Sequence, residues 1–230
     1  MLQVRSSPTL DGGDFGWLKA KHHFAVTPDG NPANVPLGAL VVWNDDQIAP
    51  GTGFDLHRHA NVEIVSYIRE GAVTHRDSLG NTGRTAAGDV QAMSAGTGIQ
   101  HSEHNLGVDP LRLFQIWLRS RVNGGAPQWD TRRFPKADRA NQLVILASGL
   151  PGDDDALPIR ADARVLGATL LMGARLEREV LRHAYIAPAR GVIEVNGHRL
   201  SVGDGIATID ERRLTILAQQ DSELVLVETT

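Results

Sequence analysis

The chain of 230 residues contains no cysteine, which excludes disulfide bridges, thiolate zinc sites and thiol nucleophiles. It also has no run of about 18 apolar residues, so the sequence predicts no membrane-spanning helix, and its start lacks the apolar core of a secretory signal. The formal net charge of −4 offers no basic stripe for a phosphate backbone, so we expect no direct binding of nucleic acid. A cytoplasmic protein is the simplest interpretation of these absences.

Short apolar or alternating segments separated by glycine turns fill the chain, and no long amphipathic helical pattern competes with them. The clearest strand patterns cover residues 37–43, 62–68, 111–118, 214–217 and 224–227. Alternation within residues 111–118 puts four side chains on a common face: Leu111, Leu113, Gln115 and Trp117. Asn196-Gly197 between apolar residues predicts a hairpin turn. The pattern predicts an all-β sandwich or barrel.

Two parts of the chain resemble each other. Tyr67 is followed by Ile68, by a glycine turn at Gly71 and, 21 residues after Tyr67, by the glycine of Gly88-Asp89. Tyr185 begins the same series, and the glycine of its Gly-Asp pair comes 18 residues later. A weak repeat of this kind suggests two barrels of similar plan. We expect residues 123–135 to form the linker, which gives domains of residues 1–134 and 135–230.

Two polar motifs place metal-ligand side chains two residues apart, namely His57-Arg58-His59 and His101-Ser102-Glu103. Residues two apart share a face of a β-strand, so two neighbouring strands can aim three imidazoles and a carboxylate at one point. A single His-x-His is usually a surface or hydrogen-bonded feature, but the second pair and the surrounding glycines favour a metal. Three nitrogens and one oxygen suit a first-row transition metal such as iron. The motifs predict a catalytic metal centre.

The same offsets in the second repeat do not yield a metal site. They lead to Arg175, Glu177, Ile216 and Ala218, which offer no imidazole. We therefore expect a metal only in the N-terminal barrel.

Other residues of interest lack a comparable pattern. We interpret four histidines as structural or exposed: His22, His23, His183 and His198. His75 and His104 lie near the motifs, but the sequence does not fix their direction. Phe54 and Met93 line either an aromatic-ring pocket or the core, and the core is favoured.

The spacing of glycines, histidines and carboxylates identifies a family. Residues 51–71 follow G-x5-H-x-H-x3-E-x7-G and are similar to the first cupin motif, one residue longer at its end. Residues 88–105 are similar to the second, with serine in place of the usual proline and a longer step to the histidine. The block from residue 57 to 103, including H-R-D-S-L-G-N and M-S-A-G-T-G-I-Q-H-S-E, resembles pirins, and more specifically the short bacterial pirin-like quercetinases.

The resemblance implies a bicupin fold of two antiparallel, jelly-roll-type β-barrels, with one metal in the N-terminal barrel. The implied ligands are His57, His59, His101 and Glu103. Iron(II) is the expected divalent ion, although imidazole and carboxylate ligands also accept manganese, nickel, cobalt, copper or zinc. General cupins often use the carboxylate of the first motif, which is Glu63 here; pirins use the equivalent of Glu103. We expect Glu63 to orient a ligand imidazole instead.

The resemblance also implies an activity. A quercetin 2,3-dioxygenase would cleave a flavonol with O2 and release carbon monoxide, with Glu103 as the catalytic proton acceptor. The alternative is a non-catalytic regulator or redox sensor that binds a protein partner. Both functions need the same four ligands, so the sequence does not separate them.

Overall fold

The computed structural model describes residues 1–27 and 30–230. Within these ranges it has two 3-10 helices, Ser7–Thr9 and Lys136–Arg139, and no helix long and apolar enough to cross a membrane. The strands of the N-terminal half are β1 (Leu2–Arg5), β2 (Asp11–Asp14), β3 (Leu18–His22), β4 (Leu40–Ile48), β5 (Gly53–His59), β6 (Val62–Glu70), β7 (Ala72–Asp77), β8 (Thr82–Ala86), β9 (Val90–Ser94), β10 (Ile99–His104), β11 (Leu111–Arg119) and β12 (Gln128–Arg132). Those of the C-terminal half are β13 (Val144–Ser148), β14 (Leu157–Pro158), β15 (Ala163–Leu170), β16 (Arg175–Glu179), β17 (His183–Arg190), β18 (Val192–Val195), β19 (His198–Ser201), β20 (Gly205–Ile209), β21 (Arg213–Ala218) and β22 (Ser222–Thr229).

The strands form four sheets. The outer N-terminal sheet has the order β5-β10-β7-β8, and the inner N-terminal sheet has the order β12-β9-β6-β11-β4-β3-β2. The inner C-terminal sheet is β1-β20-β17-β22-β15-β13-β14, and the outer C-terminal sheet is β16-β21-β18-β19. Each half is thus a pair of facing sheets of seven and four strands that do not close into a continuous barrel. The predicted all-β bicupin architecture and its internal repeat are confirmed, with one short parallel pair, β13 with β14.

Sequence analysis missed two edge strands, and one of them, β1, crosses from the N-terminal half to the C-terminal sheet. Strand β12 lies inside the predicted linker but pairs with β9 at the edge of the inner N-terminal sheet. The corresponding edge of the inner C-terminal sheet is completed by β1, which pairs with β20 across about two hundred residues of chain. Both β1 and β12 are short, so neither carries a strong strand pattern. The division into domains at residue 134 stays a prediction.

Apolar burial holds the four layers together. One core lies between the two inner sheets, where Trp43 and Phe114 from the first half meet Tyr185 from the second. His23, which was predicted to be structural, is fully buried there and hydrogen-bonds the Tyr185 hydroxyl at 2.7 Å. Further cores lie between the inner and outer sheets of each half. The two halves therefore share buried surface as well as the pairing of β1 with β20.

Most strand predictions hold with shifted ends. The alternation predicted for residues 111–118 is observed in β11, and Asn196 and Gly197 take positive φ values of 46° and 84° in the predicted hairpin turn. The segment predicted at residues 37–43 differs, because β4 begins at Leu40 and continues through Asp45 and Asp46. Tertiary contacts on both faces override the polarity of these two residues.

Candidate metal centre

A bulge in β5 sets the positions of the site histidines. His57 is paired with His101 of β10, but Phe54 is already paired with Glu103, so two residues of β5 oppose the single Ser102. A bulge of this kind redirects side chains and is frequent beside active sites. Here it keeps Phe54, His57 and Glu103 on the inner face of the outer N-terminal sheet.

Gly53 lets β5 and β10 come close together beside the bulge. A Cβ atom on Gly53 would lie 2.2 Å from the backbone oxygen of Glu103. Any larger residue at this position would push the two ligand-bearing strands apart.

Three imidazoles converge on the inner face. The ring centroids of His57 and His101 are 4.5 Å apart, those of His57 and His59 are 4.7 Å apart, and those of His59 and His101 are 5.0 Å apart. The Nε2 atoms of His57 and His101 are separated by 3.1 Å. His57 Nδ1 lies 2.6 Å from the backbone oxygen of Asp55 in the bulge, so it donates its proton there and leaves Nε2 as the lone-pair nitrogen.

The donor set fits a divalent transition metal. One nitrogen from each of His57, His59 and His101 lies within 4.8 Å of the others. Burial lowers the pKa of His59 to about 4 and that of His101 to about 3, in both cases with help from neighbouring imidazoles. Both rings are therefore neutral at pH 7, which is the state that binds metal. Three imidazoles whose ligand nitrogens converge in this way have the chemistry of a metal site.

Glu103 lies next to this triangle but belongs to a second cluster, with His75 and His101. Its carboxylate is 2% exposed and accepts hydrogen bonds from the side-chain amides of Gln91 at 2.5 Å and Gln115 at 2.8 Å. Burial raises the pKa of Glu103 to about 7, and the two amides oppose that rise. That Glu103 completes the ligand set stays a prediction.

The expectation that Glu63 orients a ligand imidazole is wrong. Its carboxylate accepts hydrogen bonds from the hydroxyls of Ser94 and Ser120 and from the backbone amide of Arg160 in the C-terminal half. Glu63 lies an even number of residues from His59, but the chain turns at Asn61 (φ 57°) and passes there from the outer to the inner sheet, so the two side chains do not share a face. Glu63 consequently faces the other half of the molecule and joins the two halves.

The remaining sequence predictions divide between core and surface. Met93 is core, as favoured, whereas Phe54 is partly buried and packs edge-on against Trp17 at 5.1 Å. His198 is exposed. In the second half, the projected positions hold core residues, Ile216 and Ala218, and members of a surface ion-pair cluster, Arg175 and Glu177.

Sequence reasoning missed the polar residues that surround the centre. Gln115 was placed on the correct face of β11, and an amide on an otherwise apolar face was the available signal. His75 and Asp77 are two apart on β7 and so share a face, a signal equal to that of His57 and His59. Gln91 lies in a strand that is buried throughout, and nothing local indicates its role.

Asp46 is a further polar group inside the N-terminal half. It is 1% exposed, and neither carboxyl oxygen has a hydrogen-bond partner among the described residues. On the opposite face of β4, the neighbouring Asp45 pairs with Arg69 at 2.5 Å. Burial raises the pKa of Asp46 to about 8, and the charges of Asp45 and Glu103 add to the rise.

Replacement of Asp45 and of Asp46 by asparagine should change the free energy of unfolding in opposite directions. Because the folded-state pKa of Asp46 is raised, its contribution to stability is full below about pH 4 and is lost as the pH rises through 8. Asp46→Asn should raise the free energy of unfolding at pH 9 by roughly 2 kcal/mol and flatten its pH dependence. Asp45→Asn leaves Arg69 buried without its partner and should lower the same quantity by about 3 kcal/mol. Urea unfolding from pH 5 to 9 measures the free energy of unfolding of both variants. Equal effects would contradict the assignment of Asp45 as the paired carboxylate and Asp46 as the unpaired one.

An open cleft of about 670 Å³ borders the histidine triangle at His57. Its wall includes Trp17, Phe54, Leu56, His57 and His104. The rings of Trp17 and Phe54 give it an aromatic surface, and His57 connects that surface to the histidine triangle. Thr52, Asp55, His57 and His104 add polar groups to the aromatic surface, and small-molecule sites combine groups of both kinds.

Comparisons with known proteins agree with this architecture. A family model described as "Pirin" matches residues 3–118, and one described as "Quercetinase C-terminal cupin domain" matches residues 145–229. A Caulobacter vibrioides protein named "Pirin-like protein" is 54% identical over 230 residues, covering 99% of each chain. An Escherichia coli K12 protein named "Quercetin 2,3-dioxygenase" is 36% identical over 231 residues, covering 99% of this chain and 98% of that protein.

Solved structures give the same result. The crystal structure of YhhW from Escherichia coli matches with a TM-score of 0.94 at 34% identity, covering 100% of this chain and 98% of that one. The structure of bacterial pirin YhhW in complex with nickel(II) has a TM-score of 0.92 at 34% identity, covering 100% and 99%. With the Pirin model matching half of its length and a relative of 54% identity matching nearly all of it, the chain belongs to the pirin family.

Proposed function

We propose that the chain is a metal-dependent dioxygenase that cleaves flavonols of the quercetin type and releases carbon monoxide. The observation that carries the proposal is the aromatic-walled cleft that meets the histidine triangle at His57. Relatives named quercetin 2,3-dioxygenase support the same substrate class.

The proposed metal ligands are His57, His59, His101 and Glu103, and iron(II) is the proposed ion. A divalent metal bound there would acidify a coordinated hydroxyl and help to hold the substrate. His59 and His101 act as neutral ligands, because burial and neighbouring imidazoles disfavour their protonated forms.

The cleft suits the shape of a flavonol, which is planar and mostly apolar. Phe54 packs against Trp17 and lies with its ring centroid 6.2 Å from that of His57. A ring system bound along this wall brings its 3-hydroxyl and 4-carbonyl toward the imidazoles while its apolar faces leave water.

Glu103 is the proposed proton acceptor for the 3-hydroxyl. Gln91 and Gln115 each donate a hydrogen bond to one of its carboxylate oxygens, which fixes the plane of the group between the two N-terminal sheets. Loss of the hydroxyl proton makes the flavonol electron-rich, the form in which O2 attacks it and opens the ring.

A regulator that binds a protein partner is the second candidate. It is favoured by two exposed apolar side chains near the cleft, Leu56 at 64% and Leu106 at 62% exposure, which both lie beside His104. Isolated exposed leucines are common on protein surfaces, so the cleft carries more weight than they do.

Turnover separates the two candidates. Protein loaded with iron(II) is incubated with a panel of flavonols in air, and carbon monoxide is quantified against a His101→Ala control. Carbon monoxide release that requires the loaded wild-type protein supports the enzyme. Release no higher than the control for every flavonol contradicts it.

A further inference from the structure

A buried chain of polar groups runs from β7 to the metal centre. His75 Nε2 lies 3.0 Å from Asp77 Oδ2, and both side chains are fully buried. On the other side of the His75 ring, Nδ1 lies 3.5 Å from His101 Nδ1. Because β7 and β10 are paired with His101 opposite Asp77, the register itself brings these groups into line.

The proton positions along this chain follow from the first bond. The Asp77 carboxylate only accepts: Oδ1 takes the backbone amides of Leu79 and Asn81, and Oδ2 takes the Asn81 side-chain amide as well as His75. His75 therefore carries its proton on Nε2 and has a lone pair on Nδ1. That lone pair accepts the Nδ1 proton of His101, which leaves His101 Nε2 unprotonated.

The unprotonated Nε2 of His101 faces the other histidines of the metal centre. His101 Nε2 lies 3.1 Å from His57 Nε2, and the latter is itself left free because His57 Nδ1 donates to the bulge. Two independent hydrogen bonds thus prepare two neighbouring imidazoles in the same tautomer.

Packing prevents the His75 ring from turning. The ring stacks on Trp129 of β12 with a centroid distance of 4.4 Å and an interplanar angle of 4°. Trp129 has room because residue 83 is glycine: a Cβ there would lie 2.2 Å from the indole. The edge strand β12 therefore contributes to the geometry of the site.

We propose that Asp77 and His75 are positioning residues that hold His101 in the tautomer whose Nε2 binds the metal. This inference rests on the proposed metal centre. It assigns His75 a role beside the metal, although His75 also clusters with His101 and Glu103 closely enough to be a ligand itself.

Asp77→Asn is the direct test. The variant keeps an oxygen for the backbone amides of the turn but presents an NH2 group to His75. This reverses the direction of the hydrogen bonds that link residues 77, 75 and 101. In metal-free protein, nitrogen-15 NMR of the imidazoles should show His101 changing from the Nδ1–H to the Nε2–H tautomer. Calorimetric titration with Ni(II) should show affinity 10 to 100-fold weaker than wild type. Asp130→Asn is the matched control, because the Asp130 carboxylate accepts a local hydrogen bond from the backbone amide of Thr131, and it should change neither reading.

Two substitutions of His75 distinguish a positioning role from a role as a metal ligand. His75→Phe keeps an aromatic ring on Trp129 without a nitrogen and should weaken Ni(II) binding about as much as Asp77→Asn does. His75→Asn places an amide oxygen near the position of the wild-type His75 Nδ1, where it can accept the His101 proton. This variant should recover part of the lost affinity. Circular dichroism checks that each variant is folded.

An unchanged His101 tautomer in folded Asp77→Asn overturns the proposal. Wild-type affinity in Asp77→Asn together with no binding in either His75 variant also overturns it, because His75 is then a ligand. The tautomer is measured without metal or substrate, so a failure of flavonol turnover leaves this result standing by itself.

Discussion

Replacing Glu103 by alanine is expected to abolish flavonol turnover and weaken metal binding. The substitution removes the proposed oxygen ligand and proton acceptor, and it leaves the amides of Gln91 and Gln115 without their shared partner. We expect kcat/KM to fall by about 10³-fold or more. Steady-state assays with iron-loaded protein, together with calorimetric metal titration, measure both effects.

Glu63→Ala is the matched carboxylate control, because Glu63 was the rival ligand. It removes three hydrogen bonds, from Ser94, Ser120 and Arg160, of which the last joins the two halves. We expect the free energy of unfolding to fall by roughly 3 kcal/mol, with the metal content still one per chain. Loss of metal in Glu63→Ala and its retention in Glu103→Ala would mean that the general cupin pattern governs this chain.

Removing the metal is expected to abolish turnover but leave the protein folded. The ligands stand on β5 and β10, whose pairing is fixed by backbone hydrogen bonds, and the four layers are held by extensive apolar cores. An ion present at about 100 times its Kd adds only about 2.7 kcal/mol. Chelation should therefore lower Tm by roughly 5–10 °C.

Circular dichroism of chelated protein, alongside carbon monoxide assays before and after iron(II) is returned, tests both halves of this expectation. Zinc-reloaded protein is a useful control, since zinc restores the fourfold ligand set without redox chemistry. Global unfolding on chelation would indicate a structural metal. A folded, reloaded protein that cleaves no flavonol would favour the regulatory function.

Patterns within a single strand were predictable from the sequence. His57 and His59 share a face because they are two apart on β5, and Gln115 lies on the predicted face of β11. The hairpin at Asn196 formed because its residues tolerate positive φ. In each case the physical cause acts over a few residues and is visible locally.

Features set by distant contacts were not predictable. The bulge opposite Ser102 depends on the register of β5 against β10, and the direction of Glu63 depends on a turn between two sheets. Strand β1 finds its partner β20 nearly the whole length of the chain away. The Asp77–His75–His101 chain likewise exists only because β7 and β10 pair in one register.

The central claim is that one divalent metal is bound in the N-terminal half by the three site histidines. Anomalous diffraction from crystals of metal-loaded protein, recorded at the absorption edge of the ion, tests it most directly. We predict one peak per chain, at roughly 2.1 Å from a nitrogen of His57, His59 and His101, with a Glu103 oxygen as the fourth protein ligand. A peak that does not contact these histidines, or a second peak of equal height in the C-terminal half, would contradict the account.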